Sequence, residues 1–154
     1  MSGILREQLG RAPFLACLSA TDKEGILREL TAFLVQREVV PAHRQEEVRL
    51  ALAEREAKMS TGMQFGIAIP HAKLSGLEEL VAAVAVSREG VEFDALDRKA
   101  THIFVVTLSH ATEVGTHVRF LADISRLLSS VSVRTALTAA TSHAEMMEAL
   151  YGNV

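Results

Sequence analysis

The 154-residue chain holds one cysteine and three prolines. It has no uninterrupted apolar run of about 18 residues, the length a membrane span requires. Each shortage excludes something. The single Cys17 rules out an internal disulfide framework and fits a reducing, cytoplasmic setting. It lies in the run FLACL, the pattern of a buried, inert thiol. The terminal stretch MSGILREQLGRAPF alternates charged and apolar residues too closely for a signal peptide, so no direct membrane insertion is expected. Neither sign of charge dominates: the formal net charge is −3, without the clustered basic face that nucleic acid recognition requires. Repeats, low-complexity tracts and linkers are missing. Of the six histidines, His43, His71, His102, His110, His117 and His143, no two share the spacing that sets a pair of metal ligands on one helix face. No Gly-rich nucleotide loop or magnesium-binding carboxylate pair appears, which argues against direct use of ATP. No metal and no cofactor are expected. What remains, 49% apolar and 23% charged residues, is one ordinary globular domain over 1–154.

Strands and helices are mixed along the chain, which makes the fold α/β. The run from Pro13 to Leu18 reads as a strand. Thr21 to Glu24 has the form of a capping box, with threonine as the cap. Ile26, Leu27, Leu30 and Leu34 then share one helical face. A second helix starts near Pro41 and buries Val48, Ala51 and Leu52. The runs ELVAAVAVS over 79–87 and HIFVVTLS over 102–109 are almost continuously apolar, as in strands covered on both faces. Thr116 is a candidate cap for a helix with Val118, Leu121, Ile124, Leu127 and Leu128 as its stripe. Ser132 and Ser142 are candidate caps for two later helices.

Chemistry is suggested where GIAIPHAK occupies 66–73. Proline fixes its own backbone and holds the preceding residue extended. Ile69 is then strand, the chain turns at Pro70, and His71 is presented rigidly at the end of a sheet, where sites of open α/β folds cluster. A neutral imidazole held this way is a nucleophile whose second nitrogen a hydrogen bond can fix. His117, in the first turn of a helix, sits where free N–H groups favour anions and neutral imidazole. Arg55 precedes the turn Ser60-Thr61-Gly62, and guanidinium with hydroxyls nearby suits phosphoryl oxygens. Taken singly, each has a plainer reading: a strand-end histidine facing water, a surface histidine, a solvated helix-end charge.

Taken together, EREAKMSTGMQFGIAIPHAK over 54–73 resembles the signature of phosphotransferase-system enzyme IIA domains of the fructose–mannitol type, which the nitrogen-regulatory IIA proteins share. Arg55-Glu56, Ser60-Thr61-Gly62, Ala68-Ile69-Pro70 and His71-Ala72 carry the likeness. GVEFDALD over 90–97 and the strand over 102–109 extend it, and His117 falls at the family's second active-site histidine. Met63, Gln64 and Phe65 replace the Gly-x-Gly found in many members.

The resemblance implies a single three-layer α/β/α domain with a mixed sheet of about five strands flanked by helices. It implies a phosphotransferase in the cytoplasm. His71 would take a phosphoryl group on Nε2 from phospho-HPr or its nitrogen-branch homologue and pass it to an enzyme IIB domain. His117 would bind the phosphoryl oxygens or orient His71. Arg55 would neutralise phosphate charge, Thr61 would donate its hydroxyl, and Met63 and Phe65 would form an apolar docking rim. No fused IIB or IIC segment is visible, which suits a separate transport subunit or a regulator whose phosphorylation controls binding to a kinase, channel or transporter. Intact His71 and His117 speak against a degenerate domain without phosphorylation.

Overall fold

The computed structural model describes residues 3–110 and 114–152. It opens with a helix α1 (Gly3–Arg11), then a two-residue strand β1 (Phe14–Leu15), helix α2 (Lys23–Gln36), a 3-10 turn (Ala42–Arg44) and helix α3 (Gln45–Lys58). Short strands β2 (Ile67–Ala68) and β3 (His71–Lys73) precede the long strands β4 (Val81–Val91) and β5 (Thr101–Ser109). Helices α4 (Val114–Leu128), α5 (Val131–Ala139) and α6 (His143–Tyr151) close the chain. No helix among the described residues is long and apolar enough to cross a membrane.

The sheet is mixed and five-stranded, in the order β1-β4-β5-β2, with β3 also on β5. β4 and β5 are antiparallel; every other pairing is parallel. Side chains alternate across a strand, and here both faces are covered. Phe104, Val106 and Leu108 of β5 face α2 and α3, with Ile26, Leu30, Val48 and Leu52. Ile103 and Val105 face the other layer, with Leu5 and Leu9 of α1, Ile124 of α4, Leu137 of α5 and Met146 of α6. The result is the three-layer α/β/α sandwich that the near-continuous apolar strands require.

The structure revises several local expectations. The strand does not end at Pro70. Ile67 and Ala68 pair with Ile103 and Phe104, and after the proline His71 and Ala72 pair with Thr107 and Leu108 in the same register. Pro70 lacks the N–H of one rung, yet its carbonyl still accepts from Thr107 N. β2 and β3 are one edge strand nicked by proline, and His71 lies within it. Asp22, rather than Thr21, caps α2, its carboxylate accepting from Gly25 N at 2.7 Å. Ser130, rather than Ser132, caps α5, while Ser142 caps α6 as expected. α4 starts at Val114, so Thr116 is already helical and does not cap it. Val118 of the expected stripe is 59% exposed; the inward positions are His117, Phe120, Ile124, Leu127 and Leu128. A polar residue occupies the first core position, so the expected stripe is one residue off over the first turns and correct from Ile124 onward. Cys17 lies past the end of β1 and is exposed.

The turn Ser60-Thr61-Gly62 folds back along the edge strand. Thr61 O accepts from Ile69 N, and Met63 N donates to Ile67 O. The reversal between them runs through Phe65 (φ 67°) and Gly66 (φ 75°). Left-handed backbone suits glycine; for phenylalanine it is a local strain. Gly62 serves a different need, close approach. A Cβ there would stand 2.9 Å from Ala95 Cα and 3.0 Å from the Phe93 carbonyl, so the turn and the segment after β4 touch backbone to backbone. Gly62→Ala is expected to lose about 1–3 kcal/mol of stability, the usual cost of overpacking, read as a lower urea midpoint with unchanged slope.

Candidate functional site

The alternation that builds the core also builds the site. On β5, Thr107 and Ser109 continue the face of Ile103 and Val105. In the unshifted register His71 is opposite Thr107, so its side chain shares that face. α4 covers it and brings His117 against His71, the rings meeting edge to face with centroids 5.2 Å apart. Around them opens a cleft of about 480 Å³ lined by Ala51, Glu54, Arg55, Lys58, His71, Ala72, Lys73 and His117. It straddles the sheet edge at the carboxyl ends of β3 and β5, between α3 and α4.

His71 is half-buried, with Nδ1 at 2.9 Å from the carbonyl oxygen of Ile69. A carbonyl only accepts, so Nδ1 carries the proton and donates. In the neutral ring the lone pair is then on Nε2, which has no hydrogen-bond partner among the described residues. Burial holds the His71 pKa below the usual imidazole range, against the opposing pull of the Ile69 carbonyl, and the Arg55 charge adds to the lowering. Burial, with the neighbouring His71 and Lys73, pushes His117 down to about 4. Both rings are neutral at pH 7.

His117 is 5% exposed. Its Nδ1 lies 2.6 Å from Ser109 Oγ, and its Nε2 is buried without a partner. Arg55 donates one N–H to the Met59 carbonyl at 2.8 Å, closing the end of α3, and keeps its other donors for the cleft.

The structure thus brings together His71, His117 and Arg55 but not the other candidates. Thr61 is buried, and its hydroxyl and backbone N–H are both donated to the Glu56 carboxylate. That hydroxyl is spent inside the fold. Met63 packs partly buried on the α4 side of the sheet. Phe65 is exposed at the tip of the reversal, under the Arg134 guanidinium. It stands in the reversal before the edge strand; the extended segment from Ile67 to His71 alone, at about 3.3 Å per residue, spans about 13 Å. The expected docking rim at Met63 and Phe65 therefore does not border the cleft. Lys58, Lys73 and Glu54 do. Ser109 and the pair of buried Glu56 with partly exposed Lys23 (2.9 Å) also bear on the site. Ser109 was legible from period-two alternation along β5; the ion pair joins two helices and left no local sign.

A neutral, edge-to-face histidine pair with one arginine beside it thus lies at the carboxyl end of an open, mixed α/β/α sheet. Residues 13–152 match the family described as "Phosphoenolpyruvate-dependent sugar phosphotransferase system, EIIA 2", and the chain belongs to it. It is 38% identical over 100 residues to a fructose-specific EIIA component of Haloferax volcanii, covering 65% of each chain. It is 35% identical over 129 residues to a nitrogen regulatory protein of Pseudomonas aeruginosa, covering 84% of this chain and 80% of that one. The crystal structure of nitrogen regulatory protein IIA-Ntr from Neisseria meningitidis superposes with a TM-score of 0.82 at 26% identity, over 96% of this chain and 99% of that one. The mannitol IIA of Escherichia coli shares the fold, with a TM-score of 0.72 at 20% identity, over 97% and 99%.

The lowered imidazole pKa values fix a pH dependence. A histidine whose folded pKa lies below its unfolded value of about 6.5 binds its proton more readily when unfolded. Stability is therefore complete above about pH 6.5 and falls as pH drops towards about 4, where folded His117 also charges. His117→Gln should flatten this fall: wild type should lose up to about 1.4 kcal/mol per pH unit more than the variant within that window. Urea unfolding at pH 7, 5.5 and 4.5 checks it, and parallel curves would refute it.

Proposed function

We propose that this chain is a phosphocarrier in which His71 accepts a phosphoryl group on Nε2 from the phosphohistidine of HPr or a homologue and passes it to an enzyme IIB domain. The observation that carries the reading is the Ile69 carbonyl on Nδ1, which leaves a neutral Nε2 lone pair in a cleft open to a partner. The Nε2–phosphorus bond forms as the donor's phosphorus–nitrogen bond breaks, and the donor imidazole leaves with the electron pair. The three equatorial oxygens then carry the charge that needs stabilising. Arg55 supplies a guanidinium at one wall and His117 a neutral ring at the other. The relative from Haloferax volcanii is a fructose-specific EIIA component, and the Escherichia coli mannitol IIA has been solved in complex with phosphorylated IIB. Both support transfer to a IIB domain as the onward step.

A second reading rests on its own observation. The nitrogen regulatory relative covers more of this chain than the fructose component does, and the IIA-Ntr structure superposes better than mannitol IIA. On that reading phosphorylated His71 is a signal. It adds about 1.5 to 2 negative charges beside Arg55, Lys58 and Lys73, and changes affinity for a kinase, transporter or other target.

Incubation with phosphoenolpyruvate, enzyme I and HPr should label the protein with acid-labile, base-stable phosphate. His71→Ala should carry no label, and a labelled variant would refute the site. His117→Ala should fold and accept label at least about tenfold more slowly, as expected when a transition-state donor is lost. Sugar-dependent loss of label on membranes bearing a IIB partner supports the carrier. Label-dependent capture of a target without turnover supports the regulator.

A further inference from the structure

Ser109 ends β5 at 1% exposure. Its carbonyl is taken by Leu74 N, and its hydroxyl has a single partner among the described residues, His117 Nδ1 at 2.6 Å. A hydroxyl both donates and accepts, whereas a neutral imidazole has one nitrogen of each kind. Two proton arrangements are therefore open.

If Nδ1 carries the proton and donates to Ser109, two groups are left unmet. The serine O–H is a buried donor with no acceptor, and the His117 Nε2 lone pair is a buried acceptor with no donor. If Ser109 donates to Nδ1, the Nε2–H and the acceptor capacity of the serine oxygen are left unmet. Each arrangement leaves one buried donor unmet, so they differ in the acceptor left over; an imidazole nitrogen is a far stronger acceptor than a hydroxyl oxygen, so the second arrangement, which pairs the nitrogen, is favoured. It also places its unmet donor on the ring that contacts His71, where an incoming anionic oxygen would satisfy it.

We propose that Ser109 is a positioning residue: by donating its hydroxyl to His117 Nδ1 it holds His117 as the tautomer with the proton on Nε2. The consequence for transfer rests on the phosphocarrier reading above. The opposite tautomer would offer phosphoryl oxygens a lone pair in place of an N–H. The two histidines are then set oppositely by their neighbours. A carbonyl makes His71 the Nδ1–H form and leaves Nε2 as nucleophile. A hydroxyl makes His117 the Nε2–H form and leaves a donor. No proton needs to move before phosphorus arrives. The same bond ties the first turn of α4 to the end of β5, which keeps the two rings in contact.

Two-bond proton–nitrogen correlation spectra of the nitrogen-15-labelled protein at pH 7 report the tautomer directly, with His117→Gln assigning the signals. Wild type should show the Nε2–H pattern for His117. Ser109→Ala should shift it towards the Nδ1–H form or a mixture, and Ser109→Thr, which keeps the hydroxyl, should restore it. Acceptance of label by His71 should slow at least about tenfold in Ser109→Ala and recover in Ser109→Thr. An Nδ1–H pattern in wild type overturns the assignment without recourse to any variant, as does an Nε2–H pattern that survives Ser109→Ala in a folded protein. A shifted tautomer with an unchanged rate overturns its link to transfer. If wild type takes no label at all, the phosphocarrier reading fails while the tautomer result for Ser109 stands.

Discussion

One hydrogen bond orders this site, that from His71 Nδ1 to the carbonyl of Ile69, bridging Pro70. Such a bond is worth only about 0.5–1.5 kcal/mol net, yet that is enough to favour one tautomer several-fold. It forms because the carbonyl cannot turn away. Ile69 gives its N–H to Thr61 O and Pro70 gives its carbonyl to Thr107 N, so the peptides on both sides of the Ile69 carbonyl are held by different neighbours. Proline removes one rung of the ladder, and the register resumes unchanged beyond it. The edge strand therefore keeps its parity, and His71 stays on the face that α4 covers. A slip of one residue would turn the ring to the α2–α3 side.

The support behind this bond reaches deep into the fold. Thr61 is pinned by a buried carboxylate, Glu56, which takes its N–H and hydroxyl and is itself paired with Lys23 of α2. Lys23 also reaches Asp94, Ser60 donates to the Phe93 carbonyl, and Gly62 packs on Ala95. Thus the segments STG at 60–62 and FDAL at 93–96, far apart in sequence, are a single contact in space. A buried ion pair contributes little net stability, because desolvation offsets the attraction, but leaving one partner alone is costly. Its service here is positional. It fixes the strap that fixes Ile69, and Ile69 fixes the imidazole.

The layer order, the long strands and the main helices were legible because burial on both faces writes apolar runs into strands and a 3.6-residue stripe into helices. The pairing of His71 with His117 was legible only through the family resemblance, since nothing local says that position 117 faces position 71. The failures have physical causes. The start of α4 was set one position out of phase, at Val118 and Leu121 in place of His117 and Phe120, because the stripe was sought among apolar residues and the first inward position belongs to a histidine, while Ile124, Leu127 and Leu128 face inward as expected. α1, with Leu5 and Leu9 buried, is too short and too charged to announce itself. Thr61 was read as a phosphate donor from its place beside the turn, but a hydroxyl so close to a buried carboxylate is claimed by it. Phe65 was placed by sequence proximity to His71. An extended strand turns proximity in sequence into distance.

On the proposed phosphocarrier reading, the charge arrangement suits a site that would both take and release phosphorus. Burial keeps both imidazoles uncharged, so the unphosphorylated centre holds no fixed cation that would trap an anion. Cationic groups stand at the rim instead: Arg55 and Lys58 on α3 and Lys73 on β3, with Glu54 among them. Exposed or half-exposed charges are screened by water and salt and bind weakly. A phosphoryl group on Nε2 would thus meet neutral polar groups at close range and screened charges farther out. That combination stabilises the transferring phosphorus more through orientation than through depth of binding, as a relay requires. It also makes the rim the place where added negative charge is felt. The electrostatic change needed to pass phosphorus to a IIB domain is then the same change that would alter affinity for a regulatory target, and carrier and regulator become two uses of one charge step on one edge of the sheet.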